Sequence, residues 1–412
     1  MRVLSLCFVT CIFCSICAQA AQRAGEAENV KGLSKLPAEA QSAVWTQLAE
    51  LTESDGSGSD QLGYSVAMSG NTIAVGSPYA SIGSNVHQGA IYVFTKPASG
   101  WTNMTQTAKL TASDGVQWET LGFSVAFSGN TIVAGTQAAG RVYIFVQPAG
   151  GWVDGTETAE LSGFGDDYFG SSVAIAGNTI VAAEGEGIAK GAALVFVKPS
   201  GGWQSTSTYN AALTASDGLA NDELGYSVSI SGNTIVVGAP GCNTFQGAAY
   251  IFVKPAGGWA DTTQIAKLTA SDGSIYDDFG DSVAISGATI AVGAPNAVTG
   301  TTVGKAYVFV EPSGGWANAT QTAELYPSDS RQNLYFGWSA AVLGNIVTMG
   351  ALNGNTYGFR KPATGWTDMT ESVELTEQGS AVAIAPGVIV AGSRDYPGNG
   401  VGYEGAAFVF GP

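Results

Sequence analysis

The stretch Gly225-Tyr-Ser-Val-Ser-Ile-Ser-Gly-Asn-Thr-Ile-Val-Val-Gly-Ala-Pro240 recurs in altered form along the whole chain. Counterparts begin at Gly63, Gly122, Gly170, Gly280 and Gly337, with a degenerate one at Gly379. Each is followed by an apolar, mostly aromatic run: Tyr92-Val-Phe94, Tyr143-Ile-Phe145, Leu194-Val-Phe196, Tyr250-Ile-Phe252, Tyr307-Val-Phe309, Tyr357-Gly-Phe359 and Phe408-Val-Phe410. The first six runs lead through a proline to a tryptophan, at Trp101, Trp152, Trp203, Trp259, Trp316 and Trp366, and Trp45 precedes the first full copy. Self-similarity at a fixed spacing marks a repeat architecture, in which each unit cannot bury its apolar face alone.

Each unit carries four short strands, read in the fourth copy as Ser227–Ser231, Thr234–Ala239, Ala248–Lys254 and Gln264–Ala270. They are rich in β-branched and aromatic residues and are punctuated by Gly, Asn and Pro. Gly-Asn between the first two strands in most units is a two-residue hairpin signal. The expected fold is all-β: a seven-bladed β-propeller with four antiparallel strands per blade, starting near 63, 122, 170, 225, 280, 337 and 379. The last copy stops after its third strand, while Val44-Trp-Thr-Gln-Leu-Ala-Glu-Leu-Thr52 matches the fourth strand of other units. The segment 44–52 is therefore expected to complete the seventh blade and close the ring.

Phe279-Gly280, Phe336-Gly337, Val237-Gly-Ala-Pro240 and Val292-Gly-Ala-Pro295 resemble the FG-GAP repeat of integrin α-subunit propellers and of bacterial secreted FG-GAP proteins. The resemblance covers essentially all of 44–412 and implies a propeller with a binding or adhesion role. Two units depart from it: the sixth has Met349-Gly-Ala-Leu352, and the seventh lacks Phe-Gly. Integrin repeats often carry a calcium loop between the first two strands. Here that slot is Ser231-Gly-Asn-Thr234, too short and uncharged for a cation that takes six to eight oxygens, so those calcium sites do not transfer. Kelch repeats share a similar period, but their glycines end an earlier strand, whereas Gly257-Gly258 abuts Trp259 here.

Residues 1–20 read as a signal peptide, with an apolar run after Arg2 and Ala18-Gln19-Ala20 as the cleavage site, and 21–43 as a leader. A secreted or extracellular protein is expected, at the cell surface or in a periplasm, with no membrane span. Cys242 is the only cysteine beyond the signal, so no intrachain disulfide staples the mature chain. The net charge of −17 opposes nucleic-acid binding and suits basic partners or cations. A monomer is expected, with an extracellular protein or carbohydrate as ligand.

Hairpin order puts the loops between second and third strands, and those between fourth and first strands, on one face. The former vary from Thr136–Ala139 to Ser77–Gln88, and variable loops on a rigid scaffold usually carry binding. The latter are acidic, which makes Asp60, Trp118, Glu119, Asp166, Asp167, Asp222, Glu223, Asp277 and Asp278 the candidate ligand-binding residues. Asp277 and Asp278 are also the pair offered for a divalent cation, calcium being the one considered; no other cofactor is implied. A structural alternative stays open: Ser-Asp-Gly at Asp55, Asp114, Asp217 and Asp272 is turn chemistry repeated where turns repeat. The tryptophans before the fourth strands are read as packing between blades, with sugar-stacking platforms as the alternative.

No enzyme is expected. His87 is the only histidine and is read as a solvated loop residue, which excludes His-dependent triads and multi-histidine metal sites. A propeller glycosidase or sialidase is the competing reading, since loop carboxylates could supply the acid pair. Against it, the mature arginines Arg23, Arg141, Arg331, Arg360 and Arg394 fall at dissimilar repeat positions, and Asp114-Gly-Val-Gln-Trp118 resembles an Asp-box only once. A purely structural extracellular module is the third reading.

Overall fold

The computed structural model describes residues 45–164, 168–184, 190–299, 302–329, 333–397 and 402–412. The signal and leader readings over 1–43 lie outside these residues, as do Asp166, Asp167 and Arg331. The fold is all-β, made of antiparallel sheets and consistent with a β-propeller. Its one helical turn among the described residues, Cys242–Phe245, is broken by left-handed Asn243 and Thr244.

The fourth unit shows how sequence becomes sheet. Its strands are Val228–Ser231, Thr234–Ala239, Ala248–Val253 and Ala266–Thr269, paired antiparallel in that order. The second and third strands are almost wholly buried because apolar side chains cover both of their faces. The fourth strand alternates, with Ala266 and Leu268 buried, as a rim strand should. Beyond it, Ala319–Thr320 of the following unit adds a short parallel pairing. Units five and six are joined into one nine-stranded sheet by the pairing of Gly304 with Phe336.

Thr46–Thr52 lies antiparallel to Ala406–Gly411, with Thr46 opposite Gly411 and Leu51 opposite Ala407. It therefore occupies the fourth position beside Ala381–Ala385, Val388–Ser393 and Ala406–Gly411. The first strand of each unit packs beside the first strand of the next, and Ala381–Ala385 packs beside Ser65–Ser69 in the same way.

Burial is distributed between units rather than inside a single centre. In one cluster Trp259, Tyr250 and Val237 of unit four pack with Val181, Val195 and Leu213 of unit three. Trp101, Trp152, Trp203, Trp316 and Trp366 hold the equivalent place in five further clusters. The six rings are at most 9% exposed, so these tryptophans are packing residues and not open platforms. Burying such a ring contributes a few kcal/mol, about 25 cal/mol for each Å² of apolar surface removed from water.

The backbone makes its closest approach where Val-Gly-Ala-Pro of one unit meets Phe-Gly of the next. A Cβ on Gly238 would sit 1.9 Å from the carbonyl oxygen of Gly280, itself in the left-handed region at φ +101°. Gly76 meets Gly122, Gly135 meets Gly170, Gly293 meets Gly337 and Gly392 meets Gly63 in the same manner. Across the Gly238 contact, the Ser227 hydroxyl donates to the Gly280 carbonyl at 2.7 Å.

G238A should destabilise the protein by about 3 kcal/mol, since the new methyl meets backbone that cannot move aside. G257A, at a glycine with nothing within 4 Å, should stay within about 0.5 kcal/mol of wild type. Denaturant unfolding of both variants checks the contrast, and equal effects would refute the close-approach account.

Candidate functional site

The loops between fourth and first strands share a local plan. Three residues before the Phe-Gly glycine (or its equivalent) sits an acid: Asp60, Glu119, Asp222 or Asp277. All four are buried, and each accepts the backbone N–H three residues upstream: Ser57, Val116, Leu219 and Ser274, at 2.7–3.1 Å. Such a carboxylate satisfies a donor that the tight loop cannot pair elsewhere. Burial raises the carboxyls of Glu119 and Asp277 above their ordinary range.

A second acid per loop reaches into the next unit. Asp55 accepts the Tyr92 hydroxyl at 3.1 Å, Asp272 accepts Tyr307 at 3.0 Å, and Asp329 accepts Tyr357 at 2.9 Å. The Tyr143 hydroxyl donates to Glu119 at 2.5 Å and has Asp114 as a longer acceptor at 3.1 Å. These tyrosines are fully buried, so each hydroxyl needs a partner at the end of its strand. A cation completes most of the groups: Lys109 on Asp55, Lys267 on Asp217, Arg141 on Asp114 and Lys305 on Asp272. Lys109 and Lys267 come from fourth strands and lie 5.1 Å from the ring centres of Tyr92 and Tyr250. Arg141 and Lys305 come from third strands, and there the fourth strand carries Glu160 or Glu324 opposite the tyrosine. Where the third strand offers Leu194 or Phe408 in place of tyrosine, the preceding loop carries no Ser-Asp-Gly.

The remaining candidates lie in the same loops. Asp278 is half-buried and accepts the Asn296 amide, while its neighbour Asp277 points to Ser274, so the two carboxylates have separate partners. Burial, and then the charge of Asp277, raises the Asp278 carboxyl. Glu223 is half-buried at φ +59°. No three Asp, Glu, His or Cys side chains converge as a metal site among the described residues.

Trp118 stands apart from the buried tryptophans at 54% exposed, with φ at +66°. Its ring meets His87 edge-on with centres 4.4 Å apart, and His87 meets Tyr79 at 5.3 Å. His87 is thus an interlocked ring and not the solvated loop residue its sequence context indicates. Four positions before the Phe-Gly glycine, Tyr276 takes the same place in unit five: 64% exposed, φ +69°, and stacked on Phe245 rather than edge-on. Both partners, His87 and Phe245, also have positive φ and stand two residues before a glycine. The backbone matches too, with Trp118 N–H donating to Val86 and Tyr276 N–H to Thr244.

Sequence reading passed over Tyr64, Trp338 and Arg394. The Arg394 guanidinium lies 5.0 Å from the Tyr64 ring centre and 5.8 Å from that of Trp338, and Tyr64 packs against Phe123 with tilted rings 4.7 Å apart. Tyr64, Phe123 and Trp338 each follow the glycine that opens a repeat, and that shared position was the available signal. Of the fifteen large apolar side chains exposed among the described residues, eleven lie in the loops of this face. The surface that the sequence paints as acidic thus also presents apolar and aromatic side chains to solvent, while several of its acids face inward or hold a cation.

The FG-GAP repeat family model matches residues 45–94, 104–145, 208–252 and 262–309. The chain is an FG-GAP repeat protein. Such repeats are typical of extracellular, adhesion-type propeller modules. In this FG-GAP repeat protein the unmatched stretch between 145 and 208 contains Leu194, one of the units without the tyrosine. No curated protein matches the chain by sequence. Among solved structures it is similar to the crystal structure of the computationally designed Ika8 protein, at 15% identity and a TM-score of 0.47, over 89% of this chain and 99% of that one. No helix among the described residues is long and apolar enough to cross a membrane.

Two carboxyls give opposite pH signatures. Burial, then the charge of Asp60, pushes Glu53 up to about 8 from 4.5. The fold therefore holds a proton that the unfolded chain sheds, and this contribution, full below 4.5, is lost as pH rises through about 8. Burial alone would raise Asp272, but the Lys305 ammonium holds it below its ordinary 3.8, so its contribution is present above 3.8 and lost below. Thermal melts should show wild type losing ground to E53Q between about pH 5 and about pH 8, and losing its advantage over D272N only in stronger acid. Parallel pH profiles for wild type and E53Q would refute the buried, protonated Glu53.

Proposed function

We propose that this FG-GAP repeat protein is a secreted, non-enzymatic ligand-binding or adhesion module whose seven units close into a ring. Its recognition surface is the face built from the second-to-third and fourth-to-first loops. The observation that carries this reading is the pair of exposed rings, Trp118 and Tyr276, held on left-handed backbone. A bulky residue there is strained by roughly 1–3 kcal/mol, and exposing the ring forgoes its burial as well. Folding alone gives no return for either, whereas a ligand does.

Closure is supported by contacts at one seam: Thr46–Thr52 against Ala406–Gly411, Gly392 against Gly63, and Ala381–Ala385 against Ser65–Ser69. A role in binding rather than catalysis is supported by the engagement of the loop acids with backbone N–H groups, tyrosines and cations.

Deleting 45–52 should leave Ala406–Gly411 without its neighbour and produce aggregation with a lower melting temperature; a monomeric, equally stable product on size-exclusion chromatography would refute closure. For the binding face, a variant with Val116, Trp118, Ile275 and Tyr276 changed to Ser or Asn should lose binding to arrays of extracellular proteins and glycans. V153S, at an exposed apolar residue of a third-to-fourth loop, should keep it. Equal loss in V153S, or turnover of a chromogenic glycoside abolished by changing one loop acid, would overturn the reading.

A further inference from the structure

The two ring pairs, Trp118 with His87 and Tyr276 with Phe245, occupy the same place in two loops, the first edge-on and the second stacked. The position of Trp118 and Tyr276 is filled by Asn221 and Asn333 in two other loops, each also with positive φ. Asparagine tolerates that backbone through its short polar side chain; tryptophan and tyrosine do not. The scaffold therefore accepts an unstrained residue at this position, and two loops carry an aromatic one instead. Each such ring is braced by a second ring from the neighbouring second-to-third loop, itself on left-handed backbone.

The charge of the molecule says what these faces attract. The chain carries a net charge of −17, and the rings adjoin Glu119, Asp277 and Asp278 in sequence. Cations already lie over aromatic faces elsewhere in this protein, with Arg394 over Tyr64 and Lys267 over Tyr250. No cation lies over Trp118 or Tyr276 among the described residues. An aromatic face carries negative quadrupole charge, so a lysine or arginine gains there, and the surrounding acidic field raises its local concentration.

We propose that Trp118–His87 and Tyr276–Phe245 are two equivalent docking points for a basic segment of a partner protein, whose Lys or Arg side chains lie over the exposed rings. This rests on the reading of the loop face as the recognition surface and names the chemistry it selects. The contact is electrostatic and aromatic, so binding weakens with salt, and the two points act additively on one multivalent ligand.

The test uses the full mature chain, a synthetic oligolysine peptide, an oligoglutamate peptide and a panel of neutral oligosaccharides. Substitutions W118N and Y276N copy the residue at Asn221 and relieve backbone strain, so folding is retained and melting confirms it. Titration calorimetry should show oligolysine binding to wild type, about tenfold weaker binding for each single variant and about a hundredfold for the double. Oligoglutamate should not bind, and the tryptophan fluorescence of wild type should respond to oligolysine by a component that W118N lacks. Unchanged oligolysine binding in the double variant overturns the proposal, as does no binding to wild type. A neutral glycan that binds wild type and is lost from the double variant also overturns it, while leaving the loop face as a ligand surface. Ligands indifferent to every loop substitution would remove that broader reading as well.

Discussion

Where one unit meets the next, two glycine backbones approach so closely that neither strand has room for a side chain between them. At each such seam a residue of Val-Gly-Ala-Pro lies against the carbonyl of the next Phe-Gly glycine, at a separation that excludes any side chain. In five units the opening glycine also closes its own hairpin, as Gly280 N–H does on the Gly293 carbonyl. One small residue therefore sets two distances at once: hairpin to hairpin and unit to unit. Because repeat proteins draw stability from intrinsic and nearest-neighbour terms, the seam governs how the units add up. The third unit is the exception, with Ala183 where the others have glycine.

Much of this was legible in the residues. Strand positions in the fourth unit fall within about two residues of the expected ones, because period-two patterning and Gly-Asn turns are local signals. The family resemblance rests on the same phrases and is matched at four stretches. The tryptophans, too, could be assigned to packing, since a residue repeated at every seam has a structural reason to repeat.

The loop face was harder, for a physical reason. Composition reports that acids are present but not where their oxygens point. Asp60, Asp222 and Asp277 turn inward to backbone N–H groups only because each loop makes a left-handed turn beside them. Asp55 and Asp272 are met by lysines from strands dozens of residues away. Pairings of that range are invisible to a local reading. The exposed rings stand out once the carboxylates that the fold itself engages are set aside.

The tyrosine–aspartate contacts also make the units distinguishable to one another. A loop bearing Ser-Asp, at Asp55, Asp114, Asp217, Asp272 or Asp329, is followed in the chain by a tyrosine-bearing unit, and the loops lacking it precede Leu194 and Phe408. A hairpin that docked on a non-neighbour during folding would set a carboxylate against leucine, or a phenol against nothing. Near-identical repeats are prone to such misassembly, and mismatched polar groups penalise it. The latches thus serve as an address system, which keeps look-alike segments in the order in which they were synthesised.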